Sequence, residues 1–107
     1  VANLHLSLGR DDQATQLSAV GEHLPRKSPF LVVGDFNCTN SSTHLEAFAE
    51  ANKAQIANHP QIPTFPSWRP QRDLDHIVYS DLVSLEHRRS HALQLSDHLP
   101  VSAEIHF

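Results

Sequence analysis

Four of the chain's seven prolines, Pro60, Pro63, Pro66 and Pro70, fall within the segment HPQIPTFPSWRP. Each removes a backbone donor and fixes φ, so neither a helix nor an interior strand runs through this stretch. It has to be a long loop, with Phe65 and Trp68 as anchors that plug the sheet edge. Regular structure is therefore confined to the residues on either side. With 107 residues in all, the chain amounts to one domain or a piece of one.

Before the loop, Ala2, Leu4, Leu6 and Leu8 alternate with Val1, Asn3, His5 and Ser7, the period of a half-buried strand, which puts Asn3 and His5 on one face. Val1 would stand inside that strand with no Met and no turn ahead of it, the pattern expected of a fragment. From Asp11 to Leu24 the apolar residues Ala14, Leu17, Val20 and Leu24 recur at helical spacing, and the run PFLVVGDFN reads as a buried strand entering a turn at Gly34. Thr43 and Glu46 have capping-box spacing ahead of a second helix with Leu45, Phe48 and Ala49 on its apolar stripe. After the loop, LDHIVYS and LVSLEHR read as two strands joined by a tight turn near Ser80 and Asp81, and PVSAEIHF as a terminal strand. Strands mixed with two surface helices predict a layered α/β architecture.

Eight Lys and Arg against twelve Asp and Glu leave a net charge of −4, which argues against a basic, phosphate-coating nucleic-acid module. A phosphate ligand would need local cations or a metal. No apolar run approaches the roughly 20 residues of a membrane span. The lone Cys38 excludes an internal disulfide and a thiolate zinc cluster, and leaves the compartment open. Nine His are many for this length, but no H-E-x-x-H pattern occurs, so most are expected to be surface or half-buried residues.

Three short segments put acidic residues beside Asn or His at predicted strand ends: Gly34-Asp35-Phe36-Asn37, Asp73-Leu74-Asp75-His76 and Ser96-Asp97-His98. Hydrolysis of a phosphate ester needs a carboxylate to activate water, hard oxygen ligands for a divalent cation and donors for the developing phosphoryl charge. These segments, with His5, supply such groups. Taken singly, an Asp-x-Asn after a strand is more often a turn device, His76 reads as a packed neutral histidine, and Asp73 as a solvated loop residue.

Together and in this order, VANLHL, VVGDFN, PTFPSW with LDHI, and SDHLPV resemble the later motifs of the endonuclease/exonuclease/phosphatase superfamily, the metal-dependent hydrolases that include DNase I-like nucleases. The resemblance spans nearly the whole chain. It implies that Asp35 orients or deprotonates the attacking water, that Asn37 binds the phosphate and steadies Asp35, and that His98 contacts the scissile phosphate. It further implies that Asp75 holds His98, that Asp97 is a metal-site carboxylate, and that His5 is a second phosphate-side histidine with Asn3 beside it. Arg72 is a candidate substrate-binding cation in the loop.

The family's Asn and metal-binding Glu, which lie earlier in the domain, have no counterpart in these residues. The resemblance therefore implies the C-terminal half of a four-layer α/β sandwich, with a mixed, mostly antiparallel sheet, two surface helices and the N-terminal half absent. The implied function is a phosphoesterase dependent on Mg²⁺ or Mn²⁺, the fragment itself being inactive because its metal site lacks the Glu. A phosphate-ester substrate is implied, with nucleic acid, nucleotide, phospholipid and sugar phosphate unresolved. The alternative is a non-catalytic module of the same fold that binds a phosphate ligand. A half-sandwich would expose an apolar sheet face, so a homodimer of the fragment is expected.

Overall fold

The alternating first residues form strand β1 (Ala2–His5), the amphipathic stretch forms helix α1 (Arg10–His23), and the apolar run forms β2 (Leu31–Asp35). They are followed by α2 (Thr43–Ala51), the short strand β3 (Ala54–Ile56), β4 (Asp75–Ser80), β5 (Ser84–Ser90) and β6 (Val101–His106). This computed structural model describes residues 1–57 and 61–107, so His59 and Pro60, at the start of the proline loop, lie outside the described residues. Residues 61–74 contain no helix or strand, and one isolated bridge joins Phe65 to Arg72. The fold is mixed α/β. None of the helices is long and apolar enough to cross a membrane among the described residues.

Four strands make one sheet in the order β1-β2-β4-β3, with β1 and β2 parallel and the remaining pairs antiparallel. Val32 lies opposite Val78, both fully buried, and with Ala2, Leu4 and Ile56 they meet the apolar sides of the helices. Leu17 of α1, Leu45 and Phe48 of α2, and Phe36 complete that core. Each such side chain removed from water stabilises the fold by roughly 1.5–3 kcal/mol. The opposite face carries the half-buried Val33 and Ile77, which border a gap of about 360 Å³ with Leu99, Pro100 and Val101 at the entry to β6.

Strands β5 and β6 form a separate two-stranded sheet, which corrects the expected hairpin between β4 and β5. At Ser80 the chain turns, with Val83 N–H donating to the Ser80 carbonyl at 3.0 Å, and leaves the first sheet for the second. Three local readings also change. The stripe of α1 runs through the buried Gln13 and Leu17, while Ala14 is exposed. Strand β1 ends at His5 and leaves Leu8 85% exposed. The N-cap of α2 is Ser42 without a side-chain capping bond, so Thr43 is already helical and the capping box does not form.

Gly34 has a structural reason to be glycine. Its φ is 137°, and a Cβ there would stand 2.0 Å from the Leu4 carbonyl oxygen. Only a residue without a side chain lets β1 approach β2 this closely just before the strand ends at Asp35.

Candidate active site

Three strands deliver three polar side chains in one row. His5 ends β1, Asp35 ends β2 and Asp75 begins β4, and the register sets His5 beside Asp35 and Asp35 beside Asp75. Side chains alternate across a sheet, so this row shares the face of Val33 and Ile77, away from the helices. His5 Nε2 lies 3.4 Å from Asp35 Oδ2.

The turn after β2 fixes the Asp35 carboxylate. Asn37 N–H donates to Asp35 Oδ1 at 2.8 Å, an Asx turn, and Asn37 itself takes a left-handed φ of 50°. Asn37 Nδ2 donates to the Leu6 carbonyl at 2.5 Å and its own carbonyl accepts from Gln13 Nε2 at 3.1 Å, which ties the turn to β1 and α1.

His98 comes from the connection between β5 and β6 and closes over the row. Its Nδ1–H donates to Asp75 Oδ2 at 2.7 Å, its Nε2 lies 3.5 Å from Asp35 Oδ2, and its ring packs on Phe65 at 4.9 Å. The proline loop holds this connection in place. Ser67 N–H donates to the Asp97 carbonyl at 2.8 Å, Ser67 Oγ–H to the Ser96 carbonyl at 2.6 Å, and Leu99 N–H to the Thr64 carbonyl at 2.8 Å. Thr64, fully buried, also donates its hydroxyl to Asp75 Oδ2 at 2.5 Å.

Burial by itself pulls the His98 imidazole down, but the hydrogen bond to Asp75 and the charges of Asp75, Asp35 and Asp97 outweigh it and raise the pKa above the ordinary 6.5. The cationic form, with Nε2 turned toward Asp35, is thereby favoured. His76, one residue from the row, faces the helix side. It is buried, donates from Nε2 to the Cys38 carbonyl at 2.7 Å, meets Phe36 edge-on, and is pushed down by burial. Burial pushes the Cys38 thiol up.

Of the residues expected at the site, His5, Asp35, Asn37, Asp75 and His98 come together. Asn3 is exposed on the same face, with its Oδ1 over Gly34. Asp97 is exposed and stands outside the group of Asp35, Asp75 and His98, whose donor atoms lie within 4.8 Å of one another. Arg72 borders a separate depression of about 390 Å³ shared with Arg10, Asn37 and His44. Two loop readings are corrected. Asp73 is 5% exposed rather than solvated, because Oδ2 accepts from the Asn40 N–H at 3.3 Å. Trp68 is 66% exposed rather than a plug, and Phe65 alone packs inward. Thr64, Ser67 and Gln13 were not anticipated; Gln13 was visible only as a polar residue four positions before Leu17 on the helix stripe.

The donor set suits a hard divalent cation in part. Asp35 offers a carboxylate oxygen, Asp75 Oδ2 already accepts from Thr64 and His98, and the Asp97 carboxylate stands outside the group.

The chain matches the family model described as "Endonuclease/Exonuclease/phosphatase family" over residues 3–98. No curated protein matches it. Among solved structures it is similar to a mannosyl-6-phosphatase of Bacteroides thetaiotaomicron, at 20% identity and TM-score 0.75, over 98% of this chain and 50% of that one. A functionally unknown conserved protein of Enterococcus faecalis is similar at 21% identity and TM-score 0.79, over 97% and 48% of the two chains. Beta toxin of Staphylococcus aureus is similar at 13% identity and TM-score 0.62, over 95% and 50%. The chain thus spans about half the length of these structures, and at such identities the likeness is one of fold.

Proposed function

Because the chain belongs to the endonuclease/exonuclease/phosphatase family and has its DNase I-like fold, we propose that residues 1–107 are the C-terminal portion of a phosphoesterase domain and carry the water-activating half of its centre. The observation that supports this most strongly is the row His5, Asp35 and Asp75 capped by His98, with Nε2 of His98 and Nε2 of His5 both facing Asp35 Oδ2.

In this reading a phosphate ester sits over the row. Asp35, held by the Asn37 N–H, accepts a proton from the attacking water. His98, charged and oriented by Asp75, and His5 offer N–H donors to the phosphoryl oxygens as negative charge develops on them. Asn37 has one amide hydrogen committed to Leu6 and a second left for the phosphate. Thr64 keeps Asp75 in register with His98. Asn3 and Arg72 line the approach of the rest of the substrate, a nucleotide, nucleic acid, phospholipid or sugar phosphate. Asp97, together with carboxylates from outside residues 1–107, would hold Mg²⁺ or Mn²⁺, which when bound neutralises charge on the phosphoryl group. The fragment by itself, with this incomplete ligand set, is expected to bind the cation weakly and to turn nothing over.

The test is hydrolysis of a panel of phosphodiesters and phosphomonoesters by the full-length protein with and without Mg²⁺. Asp35→Ala should lower kcat about 10²–10⁴-fold, the range for loss of a general base. Turnover undiminished by that substitution would refute the roles assigned here. A full-length protein that binds phosphate esters but cleaves none would support the binding-module alternative instead.

A further inference from the structure

The turn after β2 and the first turn of α2 enclose a depression of about 390 Å³, and Asn37 belongs both to its lining and to the candidate site. Arg10, at the start of α1, and Arg72, at the end of the proline loop, line it together with Thr43 and His44 of α2. None of the described residues that line it is acidic, so it is positive in a chain whose net charge is −4. Neither guanidinium has a carboxylate partner among the described residues. Asp73, next to Arg72 in sequence, is buried and accepts from the Asn40 N–H instead.

This gathering of positive charge is unfavourable by itself. The first turn of a helix leaves backbone N–H groups without intrahelical partners and carries a partial positive charge. In α2 the N-cap Ser42 makes no side-chain bond to them, and Glu46, the acidic residue of that turn, does not line the depression. Yet Arg10 Nη2 donates to Thr43 Oγ1 at 2.6 Å, which fastens a cation to the positive end of the helix. His44 registers the same field: burial first, and the charge of Arg10 after it, push its imidazole below the ordinary 6.5. An anion among these groups turns each repulsion into an attraction.

We propose that this depression binds a second phosphate, carried by the same substrate whose scissile phosphate lies over His5, Asp35 and Asp75. The inference rests on the reading of that row as the phosphoryl site. Asn37 joins the two places, because its N–H holds Asp35 while the residue itself borders the depression. Arg10 and Arg72 bring forked N–H donors that match phosphate oxygens, and the free N–H groups of α2 add neutral ones. The substrate class narrows to phosphate esters that bear a further phosphate. Two successive phosphates of a nucleic-acid strand and the two of a bisphosphorylated small molecule share that chemistry.

Calorimetry on the full-length protein carrying Asp35→Ala, with no metal added, tests the site without turnover. Adenosine 3′,5′-bisphosphate should bind about 10–100-fold more tightly than adenosine 5′-monophosphate, the worth of a charge-assisted hydrogen bond. Arg10→Gln, at an exposed position, should remove most of that preference and leave the monophosphate affinity unchanged, and Arg72→Gln should weaken the preference independently. A thymidine trinucleotide against the dinucleotide is the second arm: a preference there alone assigns the nucleic-acid strand, and one for the bisphosphate alone the small molecule. Equal affinities in both arms, or a preference that survives Arg10→Gln and Arg72→Gln, would overturn the proposal. If the protein without Asp35→Ala hydrolyses no phosphate ester while this preference holds, the second-phosphate site stands and the phosphoesterase reading fails; hydrolysis without the preference gives the reverse.

Discussion

At the scale of the residue, the candidate site exists because register neighbours on β1, β2 and β4 happen to be His5, Asp35 and Asp75, and because the turn after β2 brings the Asn37 N–H back to the Asp35 carboxylate. Gly34 and His76 show how close the two faces of the sheet lie in sequence: one step from the row, His76 is buried against Cys38 and Phe36. Its titration is a test of that burial. Burial first, only partly offset by the Cys38 carbonyl, lowers its pKa in the folded state below the ordinary 6.5, so the unfolded chain binds the extra proton. The stability that depends on neutral His76 is therefore present above about pH 6.5 and is lost as the pH falls through that value toward the folded pKa. His98, raised, has the opposite sign, with its contribution full below 6.5 and lost as pH rises through its folded pKa. Ring-proton NMR should find His76 titrating below 6.5 and His98 above it, and Asp75→Asn should bring His98 down; an order reversed between the two histidines would contradict the placement of both.

At the scale of the element, α1 is fastened to the site by a polar residue rather than by its apolar stripe alone. Gln13, 2% exposed, donates from Nε2 to the carbonyls of Ser7 and Asn37 and accepts from His44 Nε2 at 2.6 Å, joining α1, α2 and the two turns that follow β1 and β2. Gln13→Leu keeps the volume but leaves those carbonyls unpaired, at a cost of roughly 1–3 kcal/mol. Urea unfolding reads this directly, and a variant as stable as wild type would remove Gln13 from its anchoring role. Helix positions and most strands were legible in the sequence because period and proline placement are local. Strand β3 was not, since three residues carry no period and Ala54–Ile56 is a strand only through its pairing with β4. The partner of β5 was equally hidden: alternation says that a segment is a strand, never which strand it joins.

At the scale of the whole molecule, two helices cover one face of the four-stranded sheet, and the other face keeps Leu31, Val33, Ile77 and Tyr79 half-buried. The second sheet likewise keeps Leu85, Ala103 and Ile105 half-buried. Two copies that pack these faces together about a two-fold axis would remove them from water at roughly 25 cal/mol per Å². Light scattering of the isolated chain at high micromolar concentration should then give twice 12.0 kDa. A monomer mass there would leave the gap beside Val33 and Ile77 as the limit of what this chain closes by itself.

What the sequence determined alone was local in physical origin: an α/β alternation, a proline loop that admits no regular structure, and Asp35, Asn37, Asp75 and His98 at strand ends, with the family resemblance their order carries. Tertiary structure decided what depends on two distant segments meeting. It placed Asp73 in the interior and Trp68 in solvent, set Thr64 and Ser67 to hold Asp75 and the turn that carries His98, sent β5 to β6 instead of β4, and left Asp97 outside the group of Asp35, Asp75 and His98. The reason is that burial and pairing are properties of contacts between segments, and a hydrogen bond such as that between Thr64 and Asp75, eleven residues apart across an irregular loop, leaves no period in the chain that could announce it.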